Sequence, residues 1–365
     1  MAIDYSLPAS DQVEVSLFGP GVGESMCVHI GDGEWIIVDS CFSSSKTKTP
    51  ATIEYLEALG VDIAESVKLV IVSHWHDDHV KGMSATVERC KNAPVAVSSA
   101  LLKKEFLHLV ALFSKSTLPP DVPSGISELS KVTAILEQRM LNRVKDTSYP
   151  LVLVNCNQKL VNTEFCNVST LSPSDAASIQ ARFEFSQIAQ SKKFKPGVIP
   201  SPTANLNAVA IWVETKNTTI MLGADLETHT NPDIGWNAVV SSMGKPSGKA
   251  DIVKIPHHGS RTGHCPKVWE SMVDEKALGI MTSYSRSGLP KAEDIERLKG
   301  LTDGLFITTL NAERLPKRDK VVESFMKLSA KDRTVFSPAI GHVQLRVDGN
   351  AEKQIRLNNL AHEVE

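Results

Sequence analysis

The chain has 365 residues, 42% of them hydrophobic, enough for a large buried core. Its formal net charge of −3 excludes the strongly basic balance of a general nucleic-acid binder and leaves open only a local basic groove. No run approaches 18 apolar residues, so nothing reads as a membrane span.

The six cysteines, Cys27, Cys41, Cys90, Cys156, Cys166 and Cys265, show no Cys-x-x-Cys spacing. They read as reduced thiols of a cytoplasmic protein rather than as a disulfide frame. The first residues, Met-Ala-Ile-Asp-Tyr-Ser, have neither a basic nor an apolar leader region, so no signal peptide is expected.

In chain order, residues 12–18 alternate and predict an edge strand. Gly19 to Ser25 is glycine-rich and lacks the Lys-Ser/Thr ending of a phosphate-cradling loop, so it reads as a tight turn. Met26–Ile30 and Glu34–Asp39 are two strands joined by Gly31-Asp32-Gly33, a hairpin signal. Pro50 to Leu59 predicts an amphipathic helix stopped by Gly60.

Leu69 to Val72 is an apolar run that predicts a short buried strand ending at Ser73. His74, His76, Asp78 and His79 follow at once. Imidazole and carboxylate suit zinc, iron or manganese, and such groups crowded together cannot be buried without partners. A turn after the strand can aim His74 and His76 at one metal and Asp78 and His79 at a second. Two metals about 3.5–4 Å apart form a hydrolytic centre. The plainer alternative is a polar loop with histidines by chance.

This His-x-His-x-Asp-His after a strand resembles the signature of the metallo-β-lactamase-fold metallohydrolases. The resemblance implies an α/β fold, a four-layer αβ/βα sandwich with the metals at one edge. The order of the motifs along the chain suggests a single domain over residues 1–365 with insertions, and the resemblance covers roughly residues 12–348. In such a fold strand ends carry the site, so Asp39, at the end of Ile36-Ile37-Val38, reads as the acceptor for the free ring nitrogen of a metal-bound histidine. A turn or helix-cap aspartate is the alternative.

Leu101 to Val110 and Ile126 to Lys145 read as helical, broken at Leu118-Pro119-Pro120. Residues 100–146 therefore read as a helical insertion over the active-site edge. Leu171-Ser172-Pro173-Ser174-Asp175 lies where the wider family often carries a further ligand histidine, and none is present. Asp175, Ser174 or water is expected in its place. Residues 184–204, with Lys192, Lys193 and Lys195, read as a flexible basic loop.

Thr218–Leu222 predicts a strand that ends in Gly223-Ala224-Asp225-Leu226-Glu227. The order of the motifs and the resemblance together make Asp225 the carboxylate bridging the two metals; a helix N-cap is the alternative. Asp251 to Pro256 is a strand that runs into His257-His258-Gly259-Ser260. This motif, the Gly-Ala-Asp-Leu-Glu turn and the asparagines before its hairpin resemble the metallo-β-lactamase-like domain of competence DNA-uptake channel proteins. One of the paired histidines should complete the second site with Asp78, His79 and Asp225. His257, nearer the strand, is assigned to it. His258 is left to hydrogen-bond a substrate phosphate or to donate a proton to the leaving group. The last third of the chain predicts further strands and helices and no obvious chemistry.

The expected function is metal-dependent hydrolysis through a hydroxide held between two divalent ions, zinc or manganese, with Asp78 orienting it. The branch resemblance implies a phosphodiesterase or nuclease acting on DNA or RNA. Lys81, Asn207, Ser260 and Arg261, with Lys254 and the basic loop, are candidates for holding substrate phosphates. A small-molecule hydrolase acting on a lactone, an ester or a phosphocholine-type group is the alternative, and a non-catalytic interaction protein is a third. The helical insertion or the basic loop is expected to cover the metal edge and to be displaced by a partner or a protease. No membrane partner is expected, and the oligomeric state is open.

Overall fold

The structure is a computed structural model that describes residues 2–44, 47–101, 125–142, 149–190, 204–309, 329, 340–358 and 360–364. The chain lays down β1 (Val13–Gly19), β2 (Ser25–His29), β3 (Trp35–Val38), β4 (Val67–Val72), β5 (Val95–Ser98) and β6 (Leu151–Val154). It continues with β7 (Lys159–Asn162), β8 (Cys166–Thr170), β9 (Ile211–Thr215), β10 (Thr219–Leu222), β11 (Ala250–Lys254), β12 (Val273–Met281) and β13 (Gly304–Ile307). It ends with β14 (Gly341–Val347), β15 (Lys353–Leu357) and β16 (His362–Glu363). Two sheets result, ordered β15-β14-β1-β2-β3-β4-β5-β6 and β16-β13-β12-β11-β10-β9-β8-β7.

The inner faces meet in one apolar layer. Val15, Val28, Ile36 and Ile71 of the first sheet pack with Val168, Val213, Ile220 and Ile252 of the second. The outer face of the first sheet, with Ile37, Val70 and Val72, is covered by Ile53 and Leu56 of the helix Ala51–Ala58, Val87 of Met83–Arg89 and Leu136 of Gly125–Leu141. On the other side Trp212, Met221 and Val253 lie under Trp236, Val268 and Leu298 of three further helices. These are the four layers, helix, sheet, sheet and helix, that the resemblance implied. Burial on both faces explains why the strands leading to the site are apolar runs without alternation.

Some expectations are corrected. β1 is no edge strand, because β14 and β2 flank it and every residue in it is buried. Of the expected helical insertion over 100–146, Gly125–Leu141 is helix, while 102–124 and 143–148 lie outside the described residues. The expected loop over 184–204 begins as helix, since Asp175–Gln190 continues through it, and residues 191–203 with the three lysines lie outside the described residues. Phe185 of that helix is fully buried against Trp75, ring centroids 5.5 Å apart, which fixes it as core. All six cysteines are free thiols. Among the described residues no helix is long and apolar enough to cross a membrane.

Candidate metal centre

Four strand ends converge. β3 delivers Asp39, β4 delivers Ser73 to His79, and the parallel pair β10 and β11 delivers Asp225 and His258. The first two ends are stitched together by Asp39 N–H donating to Ile71 O and Ser40 N–H to His79 O. Val209 N–H donates to Ser73 O and ties the second sheet to this edge. The glycine-rich turn closes the floor. Glu24 N–H donates to Asp78 O, and a Cβ on Gly23 would sit 3.0 Å from that same carbonyl. The turn therefore serves close backbone approach, as the tight-turn reading implies.

The backbone is strained where the strands end. Asp39, Ala224, His257 and His258 all have φ between 45° and 61°. Each such non-glycine residue costs roughly 1–3 kcal/mol, and strain of this kind collects at functional sites.

Hydrogen bonds fix the ring orientations. Ser73 N–H and Oγ–H donate to Asp39 at 2.7 and 2.6 Å. His79 Nδ1 lies 2.7 Å from Asp39 Oδ2, so Nδ1 carries the proton and Nε2 the lone pair. His74 Nδ1 is 3.0 Å from Ser73 Oγ, whose own proton goes to Asp39, so His74 also keeps its lone pair on Nε2. That atom lies 3.2 Å from His76 Nδ1, and the two nitrogens converge as a pair. His258 Nδ1 is 2.8 Å from Thr282 Oγ1, which donates to Glu24 Oε2 at 2.6 Å, so His258 Nε2 is likewise left free.

The free atoms meet at one point. His79 Nε2 and His258 Nε2 are each 3.4 Å from Asp225 Oδ2, and Asp78 Oδ2 lies 3.7 Å from the first and 3.4 Å from the second. His79 Nε2, His258 Nε2 and Asp225 Oδ1 are buried and make no hydrogen bond. Orphaned buried polar atoms are rare, and a shared cation is what such a set of imidazole and carboxylate donors fits. Glu24, His79, Asp225 and His258 bring ligand atoms within 4.8 Å of one another. Both Glu24 oxygens are already engaged, Oε1 by Lys254 Nζ at 2.5 Å and Oε2 by Thr282, so Glu24 supports the cluster rather than opening into it.

Charge within the cluster is strongly coupled. Burial alone would keep His79 neutral, but Asp225, Asp39 and Asp78 together raise it well above the usual imidazole range. Burial opposes His258 in the same way, yet Asp225 and Asp78 push it to about 9. Burial works against the charged Asp225, and the two imidazoles overcome it and hold the carboxyl well below its ordinary value. His74 is driven well down by burial and then by His79 and His76, which outweigh the opposing pull of Asp225 and Asp78. Burial also pushes the Asp39 carboxyl up, against His79 and Ser73.

Of the expected residues, the structure brings together His74, His76, Asp78, His79, Asp225 and Asp39 around this point. His257 is the correction. Two consecutive left-handed residues send the paired rings apart, and only the buried His258 faces Asp78 and Asp225. His257, with 20% of its side chain exposed, bonds through Nδ1 to Glu227 at 2.9 Å and Thr262 at 2.9 Å, and its Nε2 faces Asn205. His258 therefore stands with the candidate ligands and not as a free proton donor. Its ring stacks on Tyr284, centroids 5.2 Å apart.

The two side chains expected in place of the missing histidine are engaged elsewhere. Ser174 Oγ–H donates to Asp233 O, and Asp175 accepts from Asn155 Nδ2, so neither is committed to the His74–His76 pair. Lys254 is fully buried and cannot reach a substrate backbone. Lys81 is half-buried, and its carbonyl accepts from Ser40 Oγ–H. Asn207 is buried, Ser260 caps Thr262 N–H, and Arg261 is exposed. Glu24, Lys254 and Thr282 are the supporting residues the sequence did not reveal. The one available signal was Glu24 closing the glycine-rich turn.

The metallo-beta-lactamase superfamily model matches residues 19–136. Among solved structures, the metallo-beta-lactamase fold protein YhfI from Bacillus subtilis is 12% identical, with 74% of this chain and 85% of that one covered at a TM-score of 0.37. A HARLDQ-motif mutant of a metallo-beta-lactamase from Cronobacter sakazakii is 16% identical, with 66% and 75% covered at 0.34. The metallo-beta-lactamase SMB-1, bound to 2-mercaptoethanesulfonate, is 13% identical, with 70% and 82% covered at 0.35. No curated protein matches the chain significantly. Residues 19–136 are thus similar to the metallo-beta-lactamase superfamily, and the two-sheet sandwich whose strand ends assemble these ligands has the metallo-β-lactamase fold with a candidate metal site.

Proposed function

We propose that the chain is a metal-dependent hydrolase that cleaves phosphodiesters, in DNA, in RNA or in a smaller molecule. The observation that carries the hydrolase reading is the pair of orphaned nitrogens, His79 Nε2 and His258 Nε2, each 3.4 Å from Asp225 Oδ2. What supports phosphodiesters is the sequence resemblance of Gly223–Glu227 and His257–Ser260 to the DNA-uptake branch.

Asp78, His79, Asp225 and His258 would hold one divalent ion and His74 with His76 the other. Bound divalent ions supply Lewis acidity and bring the pKa of water at the site from 15.7 to about 7. The chain's own residues do the positioning. Asp39 and Thr282 each hold one ring nitrogen and so turn the other inward, which keeps both imidazoles in a single tautomer. Asp78 Oδ2, beside both rings, can accept a hydrogen bond from the attacking water and orient it. The tight burial of Asp225, His74 and His79 excludes bulk water from the ligand side.

The test is a substrate panel with zinc or manganese added: bis-p-nitrophenyl phosphate, single-stranded DNA, duplex DNA, RNA, nitrocefin and a simple lactone. Turnover of one or more phosphodiesters is expected, lost in Asp225→Ala and kept in His264→Ala, since His264 lies outside the ligand cluster, its carbonyl accepting from Thr228 Oγ1. Turnover of nitrocefin or the lactone with every phosphodiester inert would contradict the phosphodiester assignment and favour a small-molecule hydrolase.

A further inference from the structure

We propose that Lys254 is a positioning residue of this metal centre: anchored on Glu24 and on the Ala224 carbonyl, it holds Oδ1 of Asp225 and leaves Oδ2 as the oxygen turned to the two imidazoles. The proposal rests on the reading of the cluster as a metal centre.

Lys254 is the last residue of β11 and pairs in register with Leu222, the last of β10. Two residues earlier, Ile252 is part of the apolar layer between the sheets. Strand alternation therefore points Lys254 into the same interior, where an apolar residue would be expected. Its side chain is fully buried, and a buried ammonium without partners is very costly. It has three. Nζ is 2.5 Å from Glu24 Oε1, donates to Ala224 O at 2.8 Å and lies 3.6 Å from Asp225 Oδ1.

Each partner constrains the next. Thr282 fixes the other oxygen of Glu24, so the glutamate cannot turn away from the ammonium. The Ala224 carbonyl belongs to the residue before Asp225, so the same Nζ hydrogen-bonds the backbone of the turn and stands 3.6 Å from its carboxylate as an electrostatic partner. A free carboxylate offers two equivalent oxygens. Here Oδ1 lies toward a cation and Oδ2 lies 3.4 Å from both ring nitrogens, so the two are no longer equivalent.

The experiment compares wild type with the double variant Lys254→Met/Glu24→Gln. Both charges go together, so the pocket's net charge is kept and a change in affinity reports position. Zinc affinity, from competition with a chromophoric chelator, is expected to fall roughly 10–100-fold while circular dichroism shows the fold retained. A folded double variant with wild-type zinc affinity overturns the proposal. Should the variant fail to fold, the wild type answers alone. Lysine side-chain 15N NMR is expected to show one slowly exchanging ammonium signal that shifts on zinc addition, and a spectrum with no such signal overturns the proposal. A wild type that binds no zinc in either assay overturns the metal-centre reading itself, which separates the two failures.

Discussion

Asp39 Oδ2 lies 2.7 Å from His79 Nδ1 with both side chains fully buried, and this contact decides which nitrogen of His79 is free. The carboxylate also accepts both Ser73 donors, so it orders His79 directly and His74 through the serine hydroxyl. One aspartate at the end of β3 thereby sets the tautomers of two histidines, one on each side of the candidate centre.

Asp39→Asn should weaken metal binding roughly 10–100-fold, because the amide presents a donor where His79 and Ser73 need an acceptor. Chelator competition with zinc measures it. Unchanged affinity in a folded variant would mean that His79 is not oriented through Asp39.

The paired histidines should separate cleanly. His258→Ala removes a ring that faces Asp78 and Asp225, so metal stoichiometry falls. His257→Ala removes a partly exposed ring bound to Glu227 and Thr262, so stoichiometry stays at the wild-type level. Elemental analysis of both variants decides it, and the reverse pattern would restore His257 as the ligand.

Much of the fold was legible in the sequence, and the reason is specific. Leu69–Val72 is apolar without alternation because its strand lies between two covered faces, and chemistry gathers where such runs stop. The choice between His257 and His258 was not legible. Nearness to the strand suggested His257, but two successive left-handed residues reverse the facing, and nothing in His-His-Gly-Ser encodes that handedness. Glu24 escaped because its partners, Lys254 and Thr282, lie more than 200 residues away in the chain and become neighbours only when the sheets stack. Residues 184–190 read as loop because the lysines, prolines, Ser, Gln and Gly of the whole stretch 184–204 set the reading, while burial of Phe185 against Trp75 holds them in helix.

His342 should make the fold sensitive to acid. Its ring is buried, stacked on Phe18 at 4.3 Å, with Nε2 3.0 Å from Ser16 Oγ, and burial pushes its pKa from 6.5 down to about 3. A folded value below the unfolded one means the unfolded chain binds the extra proton. The contribution is therefore fully present above pH 6.5 and is lost as the pH falls toward 3, with a limiting slope of about 1.4 kcal/mol per pH unit. His342→Phe removes that titration. Urea denaturation from pH 7 to pH 4 should show a shallower acid loss in the variant, and equal slopes would contradict neutral burial of this ring.

The most direct test of the account is metal content. After incubation with zinc or manganese and desalting, the wild type should retain about two divalent ions per chain, and Asp225→Ala markedly fewer. Graded chelation should strip them in two stages, with the ion at Asp78, His79, Asp225 and His258 leaving last. A wild-type chain that retains no divalent ion under any of these conditions would contradict the metal-centre assignment and the hydrolase reading built on it.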